Sequence, residues 1–279
     1  MNGLMSQAQI SHRSNARRPL LPGSVVIMFA AALFAMVITG CGHKSSTATS
    51  SSASTPAASG TSASPAPTGP SDPKAQSLLQ AAAKATGDLH AVHVQLTATN
   101  LPKLPMVSVN ADVTNNQPES AGGQAVGDAK IRLSEKADPT EEHFEVTNKT
   151  MYTKKETGAY TSVGPAEKIY DPGIILDKDK GLGAVVAKVQ SAQIAGNETI
   201  NGVACVKVTG SIDSAVIDPV IPKLGDGGGA LPITLWIADT TAGSATPNLV
   251  QFVVNKDQGN VQVVLSNWGK PITIPAITG

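Results

Sequence analysis

The chain has 279 residues, with 21 Lys and Arg matched by 21 Asp and Glu. Apolar residues make up 41% of it and aromatics only 3%. The basic footprint of a nucleic-acid binder is absent, so no nucleic-acid partner is expected.

The first 40 residues read as a secretory signal. Arg13, Arg17 and Arg18 precede an uncharged apolar run from Val25 to Ile38. That run is shorter than the about 20 residues of a spanning helix and has the length of a signal core. It ends in Ile38-Thr39-Gly40-Cys41, the pattern of a bacterial lipobox. Cys41 is thus expected to open the mature chain and to carry a diacylglyceryl group. More than one acyl chain is needed for stable anchoring. The mature chain would hold 18 basic and 21 acidic residues, a net charge of −3. With Cys41 acylated, Cys205 has no disulfide partner, and its strand context predicts a small buried hydrophobe. Residues 41–71 join the lipidated Cys to a Ser/Thr/Ala/Pro tract that lacks the apolar content to fold. Residues 72–279 are enough for one domain with a sizeable core.

In this domain Asp72-Pro73 predicts a helix N-terminus, with the helix reaching about Thr86 and stopping at Gly87. Alternating strands follow at Val92–Leu96 and Val107–Val113. Weaker strands are predicted over 124–133, 142–147, 150–155 and 159–163. Asp171-Pro172-Gly173 breaks the pattern, and helical spacing predicts a helix from about Gly181 to Ala192. Asn201-Gly202 marks a hairpin between strands at 192–200 and 204–212. A broken helical region over 213–224 and a Gly loop at 225–229 come next. Three strong strands follow at 231–239, 249–255 and 260–267, with an edge at 272–277. Many antiparallel strands with a few helices predict an α+β domain, a large curved sheet with helices on one face. Ala and Gly at the helix contacts predict room between helices and sheet.

Catalytic and metal signatures are missing. His90 and His93 point to opposite sides of a strand. Asp177-Lys-Asp-Lys-Gly181 resembles the start of a calcium loop, but Lys188 stands where a Glu is required. Gly225–Gly229 lacks the Lys-Ser/Thr of a phosphate loop, and there is no Gly-x-Ser-x-Gly elbow. No enzyme, cofactor or metal is expected. Lys149, Lys154 and Lys155, grouped with Tyr152 around one predicted hairpin, are candidates for an anionic head group or membrane surface.

Four segments, Gly181–Ala187, Asn197–Gly202, Pro232–Ile237 and Val264–Gly269, resemble the mycobacterial LppX/LprA/LprF/LprG lipoprotein family. The runs Thr147–Lys154 and Val163–Asp177 look most like its LprF branch. The resemblance implies a strongly curved antiparallel half-barrel with helices on its concave face, enclosing a hydrophobic cavity for multi-acyl lipids or glycolipids. It implies a non-enzymatic carrier, lipid-anchored on the extracytoplasmic side of the cell membrane. Such a carrier would move or present these lipids within the envelope, with an envelope transport or sensor protein as partner. It supplies no ligand motif. From the apolar phase of each element, the candidate cavity residues are Leu96, Val109, Val146, Val185, Val186, Ile237 and Phe252. The alternative is a structural or regulatory module that binds a protein partner.

Overall fold

The structure is a computed structural model and describes residues 68–115 and 122–277. The expectations for the signal, for Cys41 and for most of the linker lie outside the described residues. The first element is helix α1, Pro73–Gly87. Asp72 caps it, its carboxylate accepting from Lys74 N at 2.8 Å, and Pro73 fills the first turn, where a missing N–H matters least. Ala75, Leu79 and Ala82 form its buried stripe.

Eleven strands follow and make one antiparallel sheet. They are β1 (Ala91–Thr99), β2 (Met106–Thr114), β3 (Gln124–Ile131), β4 (Thr140–Thr147), β5 (Thr150–Lys154) and β6 (Thr161–Pro165). Then come β7 (Gln190–Ile200), β8 (Val203–Asp213), β9 (Ala230–Ala238), β10 (Leu249–Lys256) and β11 (Gly259–Ser266). The sheet order is β6-β5-β4-β3-β2-β1-β11-β10-β9-β8-β7. Strands β1 to β6 form one half, β7 to β11 the other, and the β1–β11 pair joins them. The sheet is open, with β6 and β7 as its edges.

Between the halves the chain forms a short 3-10 turn, Pro172–Leu176, and helix α2, Leu182–Ala187. Helix α3, Ser214–Ile217, follows β8. These pieces lie on the inner face with α1. Small residues let α1 and α2 pack closely: a methyl group on Gly183 would stand 2.9 Å from Gly87 Cα. The Ala and Gly contacts therefore close the space between these two helices instead of opening room beneath them.

Tight hairpins appear where the sequence places them. Asn148-Lys149 and Asn201-Gly202 both hold two successive positive φ angles, the backbone that matches strand twist in a two-residue turn. Other boundaries move. The predicted 181–192 helix stops at Ala187, because the chain enters β7 at Gln190, which pairs with Ser211 of β8. The 213–224 region keeps one turn of helix, consistent with the prolines at 219 and 222, which cannot donate to a continuing ladder. Residues 272–277 form no strand.

The inner face of β8 to β11 meets α1, α2 and α3 in one core that includes Val208, Ile233, Leu235, Leu249, Phe252 and Leu265. A smaller apolar cluster of Cys205, Trp236, Ala238 and Val250 lies apart from it. Cys205 is 1% exposed, and burial pushes its thiol above the usual range. Beside this cluster, Glu198 accepts from Lys207 and from Trp236 Nε1, both at 2.7 Å. These two bonds hold its carboxyl below the usual range.

Candidate functional site

Strands β2 to β5 present one face to an apolar cleft. Their pairing sets the side chains in rows. One row runs Val113, Ala125, Val146, Met151; the next Ala111, Gly127, Phe144, Thr153; the third Val109, Ala129, Glu142. All but Gly127 line the cleft. The alanines at 111, 125 and 129 leave space above the backbone that larger side chains would fill. The cleft has a volume of about 300 Å³. A narrow extension of about 40 Å³ continues toward Leu96, Leu182 and Val263, and shares Val94, Met106 and Val109 with the cleft.

The roof is a strap, residues 169–175, with Pro222 beside it. Its turn is built locally: Asp171 accepts from Gly173 N at 2.9 Å, and Pro172 sits at the first turn position. The Tyr170 hydroxyl donates to Val220 O at 3.0 Å and ties the strap to the segment after α3. Burial raises this phenol well above its usual pKa, so it stays protonated and remains a donor.

The two ends of the cleft differ. At one end the backbones of Gly123 and Gly173 meet so closely that a methyl on Gly123 would stand 2.2 Å from Gly173 Cα. Ala125 and Val146 at that end are fully buried. At the other end Leu133 is 84% exposed and Ile169 47% exposed, both in the cleft lining. Monomeric proteins scatter single apolar residues on their surface, but these two share the rim of one apolar cleft.

The outer face of the same strands is polar. His93 pairs with Asp112 at 2.7 Å, His143 with Asp128, and Lys154 lies over the Tyr160 ring at 4.7 Å. Glu145 is 1% exposed, and its Oε1 has no hydrogen-bond partner. Burial pushes its carboxyl upward, against the opposing pull of Lys154. Among the described residues no three His, Cys, Asp or Glu side chains are arranged to hold a metal ion. The Asp177 carboxylate instead accepts from the backbone of Asp179 and Lys180, at 2.9 and 2.8 Å.

The candidate residues divide between the halves. Val109 and Val146 line the cleft, and Leu96 lines its extension. Val185, Val186, Ile237 and Phe252 lie fully buried in the packed core, outside the cleft lining. The lysine group does not converge, since Lys149 and Lys154 flank opposite ends of β5. Missing from the candidates are Ala111, Ala129, Phe144, Met151 and Ile175. The alternation of β2 carried Ala111, and cross-strand register then assigns Ala129 and Phe144 to the same face.

Comparison with known proteins decides what kind of chain this is. Residues 74–274 match the model of the LppX_LprAFG lipoprotein family. The chain belongs to this family. LprF of Mycobacterium bovis and of Mycobacterium tuberculosis, which bears the provisional name of diacylated glycolipid transporter, is 57% identical over all of both chains. The lipoarabinomannan carrier protein LprG of Mycolicibacterium hassiacum is 32% identical, over 72% of this chain and 84% of its own. The crystal structure of LprF from Mycobacterium bovis superposes with a TM-score of 0.72 at 59% identity, covering 76% of this chain and all of that one. That of LppX from Mycobacterium tuberculosis, at 22% identity, has a TM-score of 0.55 over 74% of this chain and all of that one, and shares the fold. The relatives are named as lipid carriers or transporters.

Proposed function

We propose that this LppX_LprAFG lipoprotein binds acylated lipids or glycolipids in the cleft over β2 to β5. It then carries or presents them within the cell envelope. One observation carries the reading: one face of four adjacent strands lines an open, almost wholly apolar cleft, while the inner face of β8 to β10 is packed beneath the helices. Exposed acyl surface is unfavourable in water by about 25 cal/mol per Å², so a carrier must offer an apolar wall. The names of LprF and LprG support the same class of cargo. The protein acts by binding alone and uses no catalytic residue or cofactor.

At about 300 Å³ the cleft is at the lower end of small-molecule pockets. Two chains of palmitate length need more room. The strap must therefore lift as cargo enters, and it is the mobile wall in this reading because it is a short segment held by a local turn, the Tyr170 hydroxyl bond and the Gly123–Gly173 contact. Cys41, lipidated, would keep the domain on the extracytoplasmic side of the cell membrane, within reach of its lipid source. A transport or sensor protein of the envelope would receive the cargo.

Mass spectrometry of organic extracts tests the cargo. The full chain purified from a mycobacterial host should yield an acylated lipid in about stoichiometric amount. Extracts without such a lipid would overturn the reading. The anchor is tested separately: Cys41→Ala should leave the membrane fraction or accumulate as uncleaved precursor. A variant processed and fractionated like wild type would exclude the lipid anchor.

A further inference from the structure

Arg132 is the only arginine after residue 18, and it stands at the open end of the cleft. It directly follows β3, next to the exposed Leu133, and lines the cleft rim. It also lines a second depression of about 280 Å³, formed with Asn100, Leu101, Pro102 and Met106. The apolar cleft and this depression meet at Arg132 and Met106. Among the described residues the guanidinium makes one hydrogen bond, a long one of 3.5 Å to Pro102 O. Among the described residues no carboxylate is in an ion pair with it. Exposed Lys103, next to Pro102 in the loop between β1 and β2, adds a second positive charge. Glu142 is the acid of the cleft lining, and it lies deeper: it pairs with Ala129, whereas Arg132 lies beyond Ile131.

The position matters for the way a lipid would lie in the cleft. Its chains need the apolar wall, and the far end is shut by the Gly123–Gly173 contact. The head group therefore emerges at the open end, beside Arg132. A guanidinium presents a planar fork of donors that matches phosphate geometry, and it keeps its charge at any physiological pH. We propose that Arg132 is the head-group anchor of the cleft and selects acylated lipids that carry a phosphodiester. The adjoining depression then houses the rest of the head group. This assignment rests on the lipid-binding reading of the cleft and names its cargo more narrowly.

The test uses the full chain with donor vesicles of phosphatidylcholine. The vesicles contain either labelled phosphatidylglycerol or labelled diacylglycerol with the same chains. Wild type should load both, and Arg132→Gln should lower phosphatidylglycerol loading about tenfold while diacylglycerol loading falls far less. Arg132→Lys, which keeps the charge but loses the fork, should fall between. Glycerol 3-phosphate, the free anion without chains, should not compete. Equal loading of phosphatidylglycerol by wild type and Arg132→Gln would overturn the assignment, as would a loss of both lipids alike or effective competition by the free anion. Failure of wild type to load either lipid would overturn the cleft reading itself, which is a distinct result.

Discussion

The two halves of the sheet use the same alternation of apolar and polar residues and come to opposite ends. In the β7 to β11 half, the inner face carries Ile212, Ile233, Leu235, Ile237, Leu249, Phe252 and Leu265, all less than 2% exposed, under three helices. Among the described residues between Ala91 and Pro165, the only side chain among the largest fully buried ones is Glu145, on the outer face. There the inner face carries mostly smaller side chains, among them Ala111, Ala125, Ala129, Val109 and Val113, beneath a short strap. Close packing in one half anchors the fold and leaves the other half free to keep a space. The difference lies in what covers each face. The helices bring Leu79, Leu182, Val185 and Ile217 into the core of one half, whereas the strap lies over small side chains such as Ala111, Ala125 and Ala129.

This comparison can be broken by mutation. Phe252→Ala in the packed half should destabilise the fold by about 3–5 kcal/mol in chemical denaturation, while Val109→Ala in the cleft wall should change it by about 1 kcal/mol or less. Similar values for both would mean that the cleft is packed as tightly as the core. Next in size is Gly123→Ala. Its methyl would collide with Gly173, so it should destabilise by about 1–3 kcal/mol and increase proteolytic cleavage in the strap. A wild-type digestion pattern would show that the closed end does not hold the strap.

Ala129→Leu should move stability and function in opposite directions. It fills the cleft, so stability should rise by about 0.5–2 kcal/mol while lipid loading falls. Unchanged loading would place the cargo elsewhere. The smallest effect concerns Glu145. Its carboxyl is pushed upward by burial, so the folded form holds its proton to a higher pH than the unfolded chain does. Its contribution is therefore full below the usual carboxylate range and lost as pH rises through the raised value. Wild type should gain thermal stability from this group on acidification from neutral pH, and Glu145→Gln should lack that gain. Parallel melting curves for the two across this range would exclude a carboxyl whose proton affinity is raised by burial.

Much of the architecture was legible in local residue patterns. Asp72-Pro73 announced α1, Asn201-Gly202 announced its hairpin, and the alternation of β1, β2 and β9 to β11 announced half-buried strands. These signals are local, and their physics acts over a few residues. The α2 boundary was not legible, because Gln190 and Gln193 belong to a strand only once β8 stands beside them. The candidate cavity residues split for a similar reason. Val109 and Phe252 show the same apolar phase in sequence, yet one faces an open cleft and the other a helix-covered core.

The sequence by itself determined the strand and helix content, the lipobox expectation at Cys41, and the family membership that the comparisons then showed. Tertiary structure alone decided where the space lies. Alternation records that a face avoids water, and a packed helix and an open cleft satisfy that equally. Only the placement of the cover separates them: α1, α2 and α3 settle on one half, and the strap held by Asp171, Tyr170 and the Gly123–Gly173 contact spans the other.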